Sequence, residues 1–380
     1  MLSCLNNINS FEESKKILNN LNMVVKEYKE LGLYLVKYNK NDTQIVFNED
    51  IMKCRGLILD YNNNIVCAPP FKSIDPSSLL NLEEEEQNKI IYEDFVDGTM
   101  INIFYYNGWH ISTRSCLGAN CRWYSKKNFS ELFEDCKDFE MDNLNKEYCY
   151  NFVLKHPDNR IVTHYNISSL VLVGAYKIKN NIINFLNIQN VQKELVEKDI
   201  NIELPQTYAF NNLNEAYQYV CTLPYDNQGL VIKYNNFRSK FINPQYNYVK
   251  CLRGNSRNIK YMFFELRKSN YNNEFLNYYP EYQYQFDGYL QELYSMTKNL
   301  FNYYQDYRVK KNITYEDIDY EYRPLIYRLH GLHLHNRQPI TFSKVKYFVN
   351  NLDTPQILFT LNYKKNTETQ DNTETQETKP

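Results

Sequence analysis

The chain has 380 residues, with 43 Lys and Arg against 45 Asp and Glu, a formal net charge of −2. Hydrophobic residues make up 43% and charged residues 23%, and 10 Gly and 12 Pro are few for this length, which excludes a collagen-like, linker-like or low-complexity chain. The near-zero net charge excludes a surface that binds nucleic acid indiscriminately. No run of 18 apolar residues is present, so no transmembrane helix is expected. The start, MLSCLNNINSFEESKK, lacks the basic stretch and apolar core of a signal peptide. Nine scattered Cys without a CxxC pair suit free thiols and an intracellular location. The 36 Tyr, with many Asn, Ile and Lys, follow AT-rich codons and are read first as genome composition.

The length suggests two or three domains. Residues 11–31 are expected to form an N-terminal helix within 1–32. Ser10 and Glu13 fit a capping box, Ile17, Leu18, Leu21, Val24, Val25 and Tyr28 keep helical spacing, and Gly32 is the stop. Strands follow at Leu33–Tyr38, at Gly56–Asp60 and Ile65–Ala68 around an Asn-rich turn, and at Ile90–Glu93. Thr99–Tyr106 and Trp109–Ser115 flank Asn107-Gly108, a type I′ hairpin signal. Further strands are expected at 149–154, 160–165, 169–178 and 182–188, with Asn180-Asn181 turning the last pair. Helices near 190–198 and 212–222 precede a strand at Gly229–Tyr234. Residues 1–255 therefore read as a strand-rich α+β domain. Residues 256–363 read as an all-α domain with helices at 257–269, 283–308, 315–330 (capped by Thr314), 342–352 and near 355–362. The polar end, 364–380, repeats NTETQ, has nothing to bury and is expected to be disordered.

Four segments recur in order on these strands: Cys54-Arg55-Gly56-Leu57-Ile58-Leu59-Asp60, Val96-Asp97-Gly98-Thr99, Pro157-Asp158-Asn159-Arg160-Ile161-Val162, and Gly229-Leu230-Val231-Ile232 with Lys240, Pro244 and Tyr246 beyond it. Each alone reads as an ordinary turn. Together they resemble the covalent nucleotidyltransferase superfamily, most closely the phage-type RNA ligase 1 branch, over roughly residues 30–255. The resemblance implies an ATP-grasp-like nucleotidyltransferase domain of antiparallel sheets. It also implies a chemistry in which a lysine of a Lys-x-Asp-Gly motif attacks the α-phosphate of ATP and passes AMP to an RNA 5′-phosphate. That chemistry needs a deprotonated amine, carboxylates for Mg²⁺ and cations to offset phosphate charge.

The departures from the family cluster on the chemistry. Phe95 stands where the nucleophilic lysine belongs, and a phenyl ring has no lone pair to donate. Val153 replaces an acidic residue, Gln228 replaces a glutamate, and Ile242 replaces the second lysine of Lys-x-Lys, while Lys240 keeps the first. Gln is a poor Mg²⁺ ligand. The resemblance implies that Arg55, Asp97, Gly98, Arg114, Arg160 and Lys240 still face nucleotide or phosphate. A lysine from elsewhere could supply the amine. Strand alternation puts Lys155 on the face of Val153, and Lys233 opposite Gln228, so Lys155 is the best substitute.

Residues 231–269 hold nine Lys and Arg against one acid, Glu265, interleaved with Tyr and Phe. Lys233, Arg238, Lys250, Arg253, Arg257 and Lys260 are the candidate RNA contacts. His330, His333 and His335 have no nearby Cys and read as helix-end histidines, so no metal site is expected. The expectation is an RNA ligase-like protein, catalytically inactive, that binds RNA ends, a nucleotide or a protein partner without covalent chemistry. One alternative is an active ATP-dependent RNA ligase using a relocated lysine with ATP and Mg²⁺. The other is a scaffold with no ligand. Composition and resemblance together point to a large DNA virus as source, with its factory or virion as a setting and no membrane partner.

Overall fold

The structure, a computed structural model, describes residues 2–363 apart from 9, 41, 43, 44 and 81. The tail expected to be disordered, 364–380, lies outside the described residues. The chain divides into two compact units between Cys251 and Leu252.

The first unit opens with a helix, Phe11–Asn20, and then builds antiparallel strands. These are β1 (Met23–Tyr28), β2 (Leu33–Tyr38), β3 (Arg55–Asp60), β4 (Ile65–Cys67) and β5 (Ile91–Asp94). Next come β6 (Thr99–Tyr105), β7 (Trp109–Ser112), β8 (Tyr148–Lys155), β9 (Ser169–Lys179) and β10 (Ile182–Phe185). The last are β11 (Thr207–Tyr208), β12 (Gly229–Tyr234) and β13 (Phe237–Ile242). They form three sheets, ordered β1-β2-β3-β4, β10-β9-β8-β6-β7 and β11-β5-β12-β13. β2, β3 and β8 are apolar almost without interruption and buried along their length, which strands covered on both faces require. The side chains of β5 alternate instead: Tyr92 packs into the core with Leu230 and Ile232, while Ile91 and Glu93 face the other way.

The second unit is helical among the described residues. It holds Ile259–Lys268, Asn272–Tyr278, Gln283–Tyr304 with a π-helical continuation to Lys310, Arg323–Asn336, Phe342–Asn350 and a last helix over 354–363. No helix of the described residues is long and apolar enough to cross a membrane. The α+β class with a helical C-terminal region stands as expected.

Several local expectations need correction. The helix over 11–31 stops at Asn20, and Asn22 turns the chain with φ of 57° into β1. Val24 and Val25 are β-branched, and pairing with β2 outweighs their helical spacing. Ser10 makes no side-chain cap, and Gly32, with φ of 62°, closes a short 3₁₀ turn instead. Residues 160–165 form no strand, because their backbone is spent on Asp97, as described below. The β6–β7 hairpin has a three-residue loop between the paired Tyr105 and Trp109. Thr314 bonds Asp317 in a turn rather than capping a helix, and the helix expected from 315 starts at Arg323. Strand β13, the helix Pro244–Arg253 and the helix Phe129–Cys136 were not anticipated.

Candidate functional site

A cavity of about 430 Å³ opens between the second and third sheets. Its walls follow from alternation. β5 contributes Ile91 and Glu93, with Phe95 just beyond the strand; β12 contributes Val231 and Lys233; β13 contributes Arg238 and Lys240. Opposite them lie Met100, Asn151 and Val153 of β6 and β8. Arg55, Lys250 and Lys89 complete the cationic lining, Lys89 being paired with Glu86.

Phe95 lies in this cavity. Its N–H donates to the Gly229 carbonyl at 2.9 Å, which continues the β5–β12 ladder by one residue. The Arg238 guanidinium is 5.5 Å and the Lys240 ammonium 5.6 Å from the ring centroid. Two cations therefore share the Phe95 ring. Val153 is buried, and Gln228 lines the cavity while its carbonyl accepts from the Asn243 N–H. Ile242 pairs with Gly229 and shares the face of Arg238 and Lys240, but is not part of the cavity wall.

Gly98 and Gly229 are demanded by close approach. A Cβ on Gly98 would lie 2.4 Å from the Leu154 carbonyl oxygen and 2.7 Å from Val153 Cγ1. One on Gly229 would lie 2.1 Å from the Phe241 carbonyl oxygen. Asp97 is buried and fully bonded. Oδ2 accepts from the Val162 and Thr163 N–H groups at 3.1 and 3.0 Å, and Oδ1 accepts from the Tyr246 hydroxyl at 2.7 Å. The Tyr165 hydroxyl donates to its carbonyl oxygen. Asp97 thus ties the 158–165 segment and the helix Pro244–Arg253 to the motif turn. It also lines the cavity, with both carboxylate oxygens already engaged.

The cations behave differently. Arg55 donates from Nη1 to the Pro70 and Phe71 carbonyls, but its Nε is buried without a hydrogen-bond partner. Arg55, Arg238, Lys240 and Lys250 have no ion pair among the described residues. Burial, followed by the charges of Arg238, Arg55, Lys250 and Lys72, pushes the Lys240 amine down to about 8. Burial, then Arg55, pushes Arg238 down to about 10. Like charges held together in a half-buried wall are costly unless an anion joins them.

The remaining site candidates separate into distinct groups. Lys155 is off the cavity: its ammonium pairs with Glu203 at 2.5 Å and lies over the Tyr165 ring. It is therefore no substitute nucleophile there. Lys233, expected to face away from Gln228, does line the cavity. It is held by Glu93 at 2.6 Å and by the Val173 carbonyl at 3.0 Å, and burial lowers its pKa. Arg160 folds its Nε onto the Val162 carbonyl and does not reach the cavity. Arg114 lies outside it, stacked over the Tyr38 ring at 4.7 Å. In the second unit, Arg253 is 1% exposed and bonded to Met262 Sδ and the Tyr282 hydroxyl, so it is no RNA-facing residue. Lys260 pairs with Glu292, and Arg257 is exposed. The basic strip over 231–269 is thus no single surface: cavity lining, core and ion pairs divide it. Glu93, which no motif singles out, lines the cavity because its place two residues before Phe95 puts both on one face.

The cavity does not suit a protein-held Mg²⁺, which takes carboxylate oxygens. Val153 and Gln228 offer none, Glu93 is bound by Lys233, both oxygens of Asp97 are occupied, and Asp94 Oδ1 accepts from the Tyr208 hydroxyl. Burial raises the Asp94 pKa. No group of three or more His, Cys, Asp or Glu among the described residues is placed to hold a metal.

No family model matches the chain. An RNA ligase of Rhodothermus phage RM378 is 29% identical over 96 residues, 22% of this chain and 22% of that protein. An immediate-early protein ICP-46 homologue of Invertebrate iridescent virus 3 is 27% identical over 184 residues, 45% of this chain and 38% of its own length. Among solved structures, an archaeal ATP-dependent RNA ligase has a TM-score of 0.45 at 13% identity, covering 66% of this chain and 64% of that one. An RNA ligase of Naegleria gruberi has a TM-score of 0.36 at 13% identity, covering 47% and 56%.

Proposed function

We propose that this chain, related at low identity to the RNA ligases of the nucleotidyltransferase superfamily, uses the cavity to hold a phosphorylated RNA end or a nucleotide and forms no covalent nucleotide intermediate. The observation that carries the reading is the wall of Arg55, Arg238, Lys240 and Lys250, four cations without an ion pair among the described residues, beside the ring of Phe95. A phosphate placed there would neutralise the wall through charge-assisted hydrogen bonds. It would also meet the buried Nε of Arg55, which has no partner. With Phe95 in the nucleophile position and no carboxylate at Val153 or Gln228, the cavity binds and orients but does not transfer.

The test pairs labelling with binding. Incubation with α-labelled ATP or GTP and Mg²⁺ or Mn²⁺ is expected to leave the protein unlabelled. A 5′-phosphorylated RNA is expected to bind with an affinity that falls as salt rises, falls in K240A, and is unchanged by EDTA. Covalent label would overturn the reading, and its loss in K240A would assign the amine to Lys240, whose lowered pKa is the feature favouring that second reading. Absence of salt-sensitive binding would leave the scaffold interpretation.

A further inference from the structure

The loop between β7 and the helix Phe129–Cys136 brings two cysteines together. Cys116 and Cys121 are separated by Leu117-Gly118-Ala119-Asn120, and the chain turns back through Gly118 and Ala119 at φ of 77° and 55°. Ala119 is fully buried, and the left-handed region is unusual for a residue with a Cβ. Its carbonyl accepts from the Cys121 N–H at 2.7 Å and the Ser130 N–H at 3.2 Å, and the Leu117 N–H donates to the Tyr28 hydroxyl at 2.9 Å, so the turn is held in place. One hydroxyl touches both cysteines: Thr113 Oγ1 accepts from the Cys116 N–H at 3.2 Å and lies 3.6 Å from Cys121 Sγ. The thiols also act on each other. Burial pushes the Cys121 thiol up, and Cys116 adds to the rise.

Cations of the first sheet face these sulfurs. The Lys26 ammonium lies 3.7 Å from Cys116 Sγ, whose other polar neighbour is the Leu117 carbonyl at 3.3 Å. Lys26 also opposes the rise at Cys121. Lys37 donates to Ser115 Oγ at 3.0 Å and feels the charge of both thiols. Lys26 and Lys37 have no ion pair among the described residues. An ammonium beside a sulfur favours the thiolate, the form that attacks a peroxide, while a neighbouring protonated thiol is the group that resolves the product. Cys116 is 7% exposed and Cys121 half-buried, which suits a small oxidant rather than a macromolecule. The loop also bears on the cavity wall: a Cβ on Gly56, next to Arg55, would lie 2.6 Å from the Arg114 carbonyl oxygen.

We propose that Cys116 and Cys121, with Lys26 beside them, form a site of reversible oxidation by a small peroxide, closed as a disulfide across the 117–120 turn. In the first step Cys116 Sγ attacks one peroxide oxygen and the O–O bond breaks. Sulfur becomes a sulfenic acid, and the departing hydroxide takes a proton from the Lys26 ammonium. In the second step Cys121 Sγ attacks Cys116 Sγ and the S–O bond breaks. The hydroxyl leaves with the Cys121 proton as water. The Cys116 proton, released when its thiolate forms, restores Lys26. Two thiols are oxidised by two electrons in all, and one hydrogen peroxide is reduced to two waters. The site does not depend on what the cavity holds.

Trypsin would release both cysteines in one peptide, residues 115–122, between the cleavages after Arg114 and Arg122. The full chain is treated with hydrogen peroxide, its remaining thiols are alkylated under denaturing conditions, and the digest is weighed without reductant. That peptide should appear unalkylated and lighter by two hydrogen atoms, and dithiothreitol before alkylation should restore both thiols. Cys67 and Cys149, a buried pair whose partners are the Tyr176 hydroxyl and the Val66 carbonyl, should stay alkylated. In C121S, dimedone should trap a sulfenic acid on Cys116. Lys26→Met should slow disulfide formation about tenfold, and Lys26→Arg, which keeps the cation, should not. A 115–122 peptide that stays reduced while the exposed Cys221 and Cys251 oxidise would overturn the proposal. So would oxidation of Cys67 and Cys149 at the same rate, absence of the dimedone adduct, or an unchanged rate in Lys26→Met.

Discussion

The turn around Asp97 and the cation wall of β13 both keep residues that a ligase would use, yet they are in opposite electrostatic states. At the turn both carboxylate oxygens of Asp97 are bonded and the backbone is closely packed against Leu154. At the wall, Arg238, Lys240 and Lys250 are gathered without a carboxylate partner among the described residues, and burial plus mutual repulsion lowers the pKa of Lys240 and Arg238. Keeping a motif residue therefore has two physical meanings here. Asp97 and Gly98 are explained by the fold without any ligand. The wall is not, because its charges oppose folding, and an anion would relieve them. Function should accordingly be sought in the wall and stability in the turn.

The sharpest way to break this contrast is to mutate both regions and measure stability and binding together. Asp97→Ala leaves the Val162 and Thr163 N–H groups and the Tyr246 hydroxyl without their acceptor, at about 1–3 kcal/mol for each group left buried and unsatisfied. Chemical denaturation should show a loss of 3 kcal/mol or more, on the order of a substantial share of a domain's stability. Gly98→Ala should be comparably damaging, since its Cβ meets backbone at 2.4 Å. The wall should respond in the opposite sense. Lys240→Met removes a repelling charge and should leave the melting temperature unchanged or raised, while phosphate affinity falls about tenfold, or about 1.4 kcal/mol. A Lys240→Met protein that unfolds as readily as Asp97→Ala would show that the wall is structural after all.

Phe95→Lys addresses the chemistry alone. It places an amine where the family resemblance puts the nucleophilic lysine but adds no carboxylate at Val153 or Gln228. Incubation with labelled ATP and Mg²⁺ should therefore give no covalent label. Label in this single variant would mean that the remaining groups suffice for nucleotidyl transfer once an amine is present.

Much of this was legible in the sequence, and the failures have physical causes. Strands whose apolar character is nearly continuous, such as β2 and β8, and turns carrying Asn at positive φ, such as Asn180-Asn181, are set by local chemistry. The N-terminal helix is shorter than its spacing suggests because Val24 and Val25 satisfy helical spacing as well as strand alternation, and only pairing with β2 decides between them. The Phe95 and Lys240 positions came from motif order. The engagement of Lys155 by Glu203, of Lys233 by Glu93 and of Arg253 by Tyr282 depends on contacts between residues 48, 140 and 29 positions apart, separations that no local pattern encodes. A basic strip in one dimension thus became three different environments in three.

The smallest expected effect is also the most specific to the wall. Lys240 titrates near 8, with Arg238, Arg55, Lys250 and Lys72 as its charged neighbours and the Phe95 ring beside it. A phosphate monoester is mainly dianionic above its second pKa of about 6. Affinity for a 5′-phosphate should therefore be nearly constant between these values and decline as pH rises through about 8, where Lys240 loses its proton. Lys240→Arg stays charged and should remove that decline. Stability should move the other way. The folded pKa lies below the unfolded value of about 10.4, so between about 8 and 10.4 the unfolded chain binds more protons, and the unfolding free energy gains a rising contribution from this group with pH. Binding that weakens while Lys240 makes the fold more stable over one pH window, with both trends absent in Lys240→Arg, would identify a single amine as their source. A decline in binding that persists in Lys240→Arg would assign the pH dependence elsewhere and remove Lys240 from the phosphate site.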